Sequence, residues 1–170
     1  SNMKLSYQGI QDKQGYAAAQ VALPQYDWAK MAEKTAEKPV WVHFGAGNIF
    51  RGFIAGLQQR LLNAGLAGSG IVAAETFDYD IIDKIYVPHD SMTLMVSLKA
   101  DGSTQKEVIA SIAKGIKANC ADEAQWQQLT DVFTAPSLQM ASFTITEKGY
   151  ALRNMNGELM PVVVSDMENG

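Results

Sequence analysis

Apolar residues in this chain occur as short unbroken runs, as three-and-four spacings and as strict alternation, and each pattern predicts a different element. Val40-Trp41-Val42-His43-Phe44, entered through Pro39 and closed by Gly45, has the length of a strand buried on both faces. Phe50, Phe53, Ile54, Leu57, Leu61 and Leu62 follow at helical spacing and predict a helix that lays one apolar stripe on a sheet. A glycine-rich loop at 63–70 leads to a second buried strand, Ile71-Val72-Ala73-Ala74, which ends on Glu75. Met92, Leu94, Val96 and Leu98 then alternate with Thr93, Met95, Ser97 and Lys99, and Asp101-Gly102 turns the chain into residues 106–112. That pattern predicts a hairpin with one wet face, added antiparallel to the sheet. Residues 122–133 carry Trp126, Leu129 and Phe133 at helical spacing up to Pro136, a strand is expected at 139–146, and a further hairpin at 150–164 turns on Asn156-Gly157. Near the start, Asp27 is placed to cap a short amphipathic helix bearing Trp28, Met31 and Ala32. Residues 3–26 are mostly polar and read as an N-terminal arm, extended or a short strand pair, ahead of the main domain at 27–170, while Ser1 and Asn2 read as a cloning remnant.

The junction of first strand and helix is where chemistry is expected. In Gly45-Ala46-Gly47-Asn48-Ile49-Phe50-Arg51, the first glycine permits a tight turn and the second lets a pyrophosphate approach the backbone. The helix start supplies unpaired N–H groups and partial positive charge, and Arg51 adds a cation. Phe50 stands where a third glycine is expected, so the fingerprint is imperfect, and an ordinary tight strand-to-helix turn stays open as the alternative. Glu75, at the tip of the second strand, is placed to accept hydrogen bonds from an adenosine ribose and to repel a 2′-phosphate. With Asp78 and Asp80 nearby and no Lys or Arg before Lys84, this stretch suits NAD over NADP; a carboxylate that merely caps the next helix is the other reading. Thr144, Thr146, Glu147 and Lys148 follow the last of the expected parallel strands, where ligands of open α/β sheets sit. The fold implied is α/β, a Rossmann-type doubly wound and mainly parallel sheet with an added β-hairpin.

The segment His43-Phe44-Gly45-Ala46-Gly47-Asn48-Ile49-Phe50-Arg51-Gly52-Phe53 resembles the nucleotide-binding turn of the polyol and hexuronate long-chain dehydrogenases, the family of mannitol dehydrogenase, mannitol-1-phosphate dehydrogenase and fructuronate reductase. Ser142-Phe143-Thr144-Ile145-Thr146-Glu147-Lys148-Gly149-Tyr150 is similar to a second family segment, in the right order along the chain. The resemblance implies an NAD-dependent oxidoreductase that interconverts a sugar alcohol or hexonate and its ketose or ketouronate, with Thr146, Glu147 and Lys148 near the cofactor cleft. It also implies a helical second domain whose catalytic lysine begins a Lys-x-x-x-x-Asn-x-x-His pattern. No such pattern occurs here, since the residues five and eight positions after Lys148 are Arg153 and Asn156. The expectation is therefore a cofactor-binding portion cut before its catalytic domain, with no catalytic residue of its own and a polyol or ketouronate substrate bound through the absent part.

Composition narrows the alternatives. A length of 170 residues, 47% hydrophobic and 19% charged, suits one domain with a substantial core. A net charge of −4 with 14 scattered basic residues argues against a nucleic-acid surface. No apolar run approaches the roughly 18 residues of a membrane span, and a cytoplasmic location is the expectation. Cys120 has no partner for a disulfide, and two histidines, His43 and His89, with one distant cysteine make no metal site by spacing. Two rivals stay in play. A methyltransferase also places Gly-x-Gly after its first strand but carries a carboxylate before the glycines, where this chain has His43-Phe44. The other is a non-catalytic nucleotide-binding module.

Overall fold

The computed structural model describes residues 3–144. Its centre is a sheet of four strands, β2 (Trp41–Phe44), β3 (Ile71–Glu75), β6 (Ile112–Lys117) and β7 (Met140–Phe143), all parallel and ordered β6-β3-β2-β7. Taken in chain order that is third, second, first, fourth, the arrangement of a doubly wound nucleotide-binding half. Period-two alternation splits the strands between two cores. Trp41, Ile71 and Ala73 face a cluster with Phe50, Ala55, Ile82 and Tyr86. Val42, Phe44, Val72, Ala74 and Ile116 face Leu129 and Val132 of helix α4 (Glu123–Thr134) on the other side. The predicted cap forms, the Asp27 carboxylate accepting from the Lys30 amide at the start of α2 (Trp28–Glu37), and Asp122 likewise accepts from Gln125 at the start of α4.

The helix after β2 departs from the predicted stripe. It opens with a wide π-type turn, Phe50–Ile54, before the regular α3 (Ala55–Asn63). One extra residue in a turn rotates everything downstream by about 100°. Phe50 and Leu62 stay inside with Ala55, Gly56 and Gln59, while Phe53 is 65% exposed and Leu57 and Leu61 turn outward with it. Gln59 is fully buried and satisfied: its Oε1 accepts from the Tyr26 hydroxyl at 2.6 Å and the Ala110 amide at 2.9 Å, and its Nε2 donates to the Val108 carbonyl.

The hairpin forms but is not an addition to the main sheet. Strands β4 (Thr93–Leu98) and β5 (Thr104–Ile109) pair antiparallel across a turn where Gly102 adopts φ +85°, and β5 pairs parallel with the two-residue β1 (Val21–Ala22) in a separate sheet ordered β1-β5-β4. Two residues after β5 the chain enters β6, so the run expected as one hairpin arm serves two sheets. Nothing in the apolar stretch 108–112 punctuates it. The lysines of β6, Lys114 and Lys117, fit a strand at the edge of the four-stranded sheet. The N-terminal segment is likewise not an extended arm. It folds into a short helix α1 (Lys13–Ala18) and β1, and its Ile10 and Tyr16 close a core with Met92, Val108 and Ala110 from the hairpin region.

Candidate functional site

Strand order reverses at β2, whose neighbours β3 and β7 lead away to opposite sides, so the carboxyl ends of β2 and β7 flank a topological switch point. The turn leaving β2 lies there. Gly45 takes φ +118°, a conformation that favours glycine, and a Cβ on it would stand 3.2 Å from Cβ of Thr144 at the end of β7. Its amide donates to the Ala74 carbonyl at 2.8 Å, tying the turn to β3. Gly47 differs. It has no positive φ, and a Cβ there would meet nothing within 4 Å. Among the described residues nothing stands on the Cβ side of Gly47, so that side of its backbone is open.

Ala46 between them is buried and held by side chains at both polar groups. Its N–H donates to Glu75 Oε1 at 2.9 Å, and its carbonyl accepts from Arg51 Nη1 at 2.9 Å and from the Tyr86 hydroxyl at 3.0 Å. The helix starts at Asn48, and among the described residues the amides of Gly47, Asn48 and Ile49 donate to no protein group. Asn48 and Ile49 are exposed, with the Asn48 side chain accepting from Arg51 Nη2. Phe50 is fully buried, its ring stacked on His43 at 4.5 Å, and reaches a ligand only through its main chain.

Glu75 is placed differently from the ribose acceptor that the sequence suggests. It is 7% exposed, and its carboxylate also takes the amides of Phe77 and Asp78 on Oε2, at 2.9 and 3.1 Å. With three of about four acceptor directions engaged by main chain, Glu75 is first a brace between the glycine turn and the loop after β3. Its contacts lie in the loop ahead of the helix that begins at Asp80 and do not cap that helix. Thr144 stands at the switch point, whereas Thr146, Glu147 and Lys148 and the hairpin expected at 150–164 lie outside the described residues.

One site residue escapes the sequence reading. Tyr86 closes a second π-type turn, Ile82–Tyr86, and its buried hydroxyl reaches the glycine turn from forty positions away. Burial is the main force holding its phenol above the usual tyrosine range; Glu75 adds to this and Arg51 opposes it. His43 points into the sheet, where Nδ1 meets the Ser142 hydroxyl at 2.6 Å and Nε2 meets that of Thr144; Trp41 Nε1 also donates to Ser142, at 2.7 Å. Burial pushes the His43 pKa down to about 4, so the ring is neutral, with one hydroxyl accepting from it and the other donating to it. It is a satisfied packing residue that ties β2 to β7. Among the described residues no cluster of three His, Cys, Asp or Glu is placed to hold a metal, and no helix is long and apolar enough to cross a membrane. A cavity of about 470 Å³ between α1, β1 and the start of α2 is lined by Lys13, Leu23, Tyr26 and Trp28 and by none of the turn residues.

No family model matches the chain. It is similar to D-mannonate oxidoreductase of Thermotoga maritima, 42% identical over 168 residues that cover 99% of this chain and 31% of that protein. It is also similar to altronate oxidoreductase of Halalkalibacterium halodurans, 28% identical over 120 residues, 68% of this chain and 23% of the relative. Among solved structures, Pseudomonas fluorescens mannitol 2-dehydrogenase, in a ternary complex with NAD and D-mannitol, superposes with a TM-score of 0.66 at 26% identity over 98% of this chain and 32% of that one. The chain thus spans a third or less of the length of each.

Proposed function

Because this chain belongs to the polyol and hexuronate long-chain dehydrogenase family, we propose that it is the cofactor-binding portion of an NAD-dependent oxidoreductase acting on a sugar alcohol or sugar acid. The observation that carries this reading is Gly47, where a Cβ would meet nothing within 4 Å, at the switch point beside helix-start amides that donate to no protein group among the described residues. The amides of Gly47, Asn48 and Ile49 would hold the pyrophosphate of NAD, with Arg51 supplying charge from the same turn. Glu75, Asp78 and Asp80 make the end of β3 acidic, which disfavours a 2′-phosphate and selects NAD over NADP. In this reading residues 27–170 are the cofactor domain, and Thr146, Glu147 and Lys148 are further cofactor-binding residues.

The reaction interconverts a secondary alcohol of a hexitol or hexonate and the corresponding ketone. NAD supplies hydride chemistry when bound; this chain orients the dinucleotide and buries the turn that holds it. The proton acceptor and most of the substrate contacts come from the further length that the relatives possess. A cytoplasmic location goes with this reading.

Titration of the chain with NADH and NADPH, followed by energy transfer from Trp41, tests it. Saturable binding that favours NADH is expected, and Gly47→Val should weaken it at least about tenfold, since a branched side chain fills the space of the pyrophosphate, with stability within about 0.5 kcal/mol of wild type. A folded wild type that binds neither nucleotide would overturn the proposal.

A further inference from the structure

The position of Gly47's amide is decided by residues that are remote from it in sequence. A trans peptide is planar, with its carbonyl and N–H pointing in opposite directions, and no cis bond occurs among the described residues. The carbonyl of Ala46 and the amide of Gly47 belong to one such unit. Two donors hold that carbonyl inward, Tyr86 at 3.0 Å and Arg51 at 2.9 Å, filling both of its acceptor directions. The Gly47 N–H is thereby turned away from those two donors, and among the described residues it donates to no protein group.

Tyr86 is itself set by the sheet below it. Gly115 lies in β6 opposite Ala73 of β3, and a Cβ on Gly115 would fall 2.6 Å from Tyr86 Cδ2 and 2.8 Å from Ile82 Cδ1. A glycine inside a strand weakens it and marks a close approach. Here the space it leaves is filled by the tyrosine ring. Ring and hydroxyl are buried, and the phenol keeps its proton as a hydrogen-bond donor.

We propose that Tyr86, seated on Gly115, is a positioning residue that orients the Ala46–Gly47 peptide so that its N–H is presented to the phosphate of a dinucleotide. The inference rests on the cofactor reading above and extends it to two residues outside the glycine turn. Arg51 shares the carbonyl but lies on the same helix and moves with it. Tyr86 ties the turn to a different part of the fold, so it fixes the peptide relative to the sheet.

The test uses the 170-residue chain, labelled with 15N and titrated with ADP-ribose. In wild type the Gly47 amide signal shifts on saturation. Tyr86→Phe and Gly115→Ala each lower ADP-ribose affinity by about three- to tenfold, the range of one lost hydrogen bond, and move the Gly47 signal in the free protein. The control is Tyr16→Phe, which removes another tyrosine hydroxyl bond, to the Lys4 carbonyl at 2.9 Å, in the core of the small sheet. It should leave affinity and the Gly47 signal as in wild type. Wild-type affinity in Tyr86→Phe, or an equal loss in Tyr86→Phe and Tyr16→Phe, would overturn the positioning role while leaving the cofactor reading intact. Wild type that does not bind ADP-ribose, or binds it without a change at Gly47, would overturn the cofactor reading and this inference together.

Discussion

The glycine turn and the small sheet β1-β5-β4 use their residues in opposite ways. In the turn, one alanine has its amide and carbonyl fixed by Glu75, Arg51 and Tyr86, brought from three different parts of the chain. In the small sheet, β4 displays Leu94, Val96 and Leu98 to the outside, the last 78% exposed, and the core beneath is closed by apolar residues of the N-terminal segment. Hydrophobic burial is non-directional and tolerates such looseness, whereas the direction of a peptide dipole is set only by hydrogen-bond partners with defined geometry. Where backbone is the binding group, buried polar side chains do the aiming.

The largest effect that would break this contrast is expected at Glu75. Glu75→Ala removes the acceptor of three amides, one of them at the buried Ala46, and should cost about 3 kcal/mol in urea unfolding, with loss of nucleotide binding. A stable variant that still binds would show that the brace is dispensable.

An intermediate effect is expected at His43, and it depends on pH. The folded state holds the ring's pKa at about 4 against an ordinary 6.5. The unfolded chain therefore takes up a proton that the folded one refuses, and the histidine's contribution to stability, complete above about 6.5, declines as pH falls toward 4 and then levels off. His43→Asn lacks this component, so the stability gap between wild type and variant should narrow between pH 7 and pH 4.5. A gap that stays constant would mean that the ring is protonated without penalty.

The smallest effect belongs to the other region. Leu98→Lys, at the exposed end of β4, should change stability by no more than about 0.5 kcal/mol. A larger loss by thermal unfolding would mean that this face carries packing of its own.

Much of the site was legible because the signals are local. A buried run before Gly45, the pair Gly45 and Gly47, and Glu75 closing the next strand are facts of adjacency, and the parallel pairing of β2 with β3 follows from them. Asp27 declared its helix because an N-cap binds an amide three residues away. The helix stripe misled because a single wide turn at 50–54 rotates the downstream face, and the spacing of apolar residues does not mark where a helix changes pitch. The hairpin misled because residues 108–112 pass from one sheet to another without a turn residue.

By itself, then, the sequence determined that this chain carries a glycine turn between a buried strand and a helix, with an acidic strand end beside it. Tertiary structure alone decided what holds that turn: that Glu75 braces main chain, that Phe50 stacks on His43, and that Tyr86 reaches Ala46 from above Gly115. The reason is range. Local pattern fixes which backbone groups are left unpaired, but the partners that aim them are chosen by strand order, which brings together residues the chain keeps far apart.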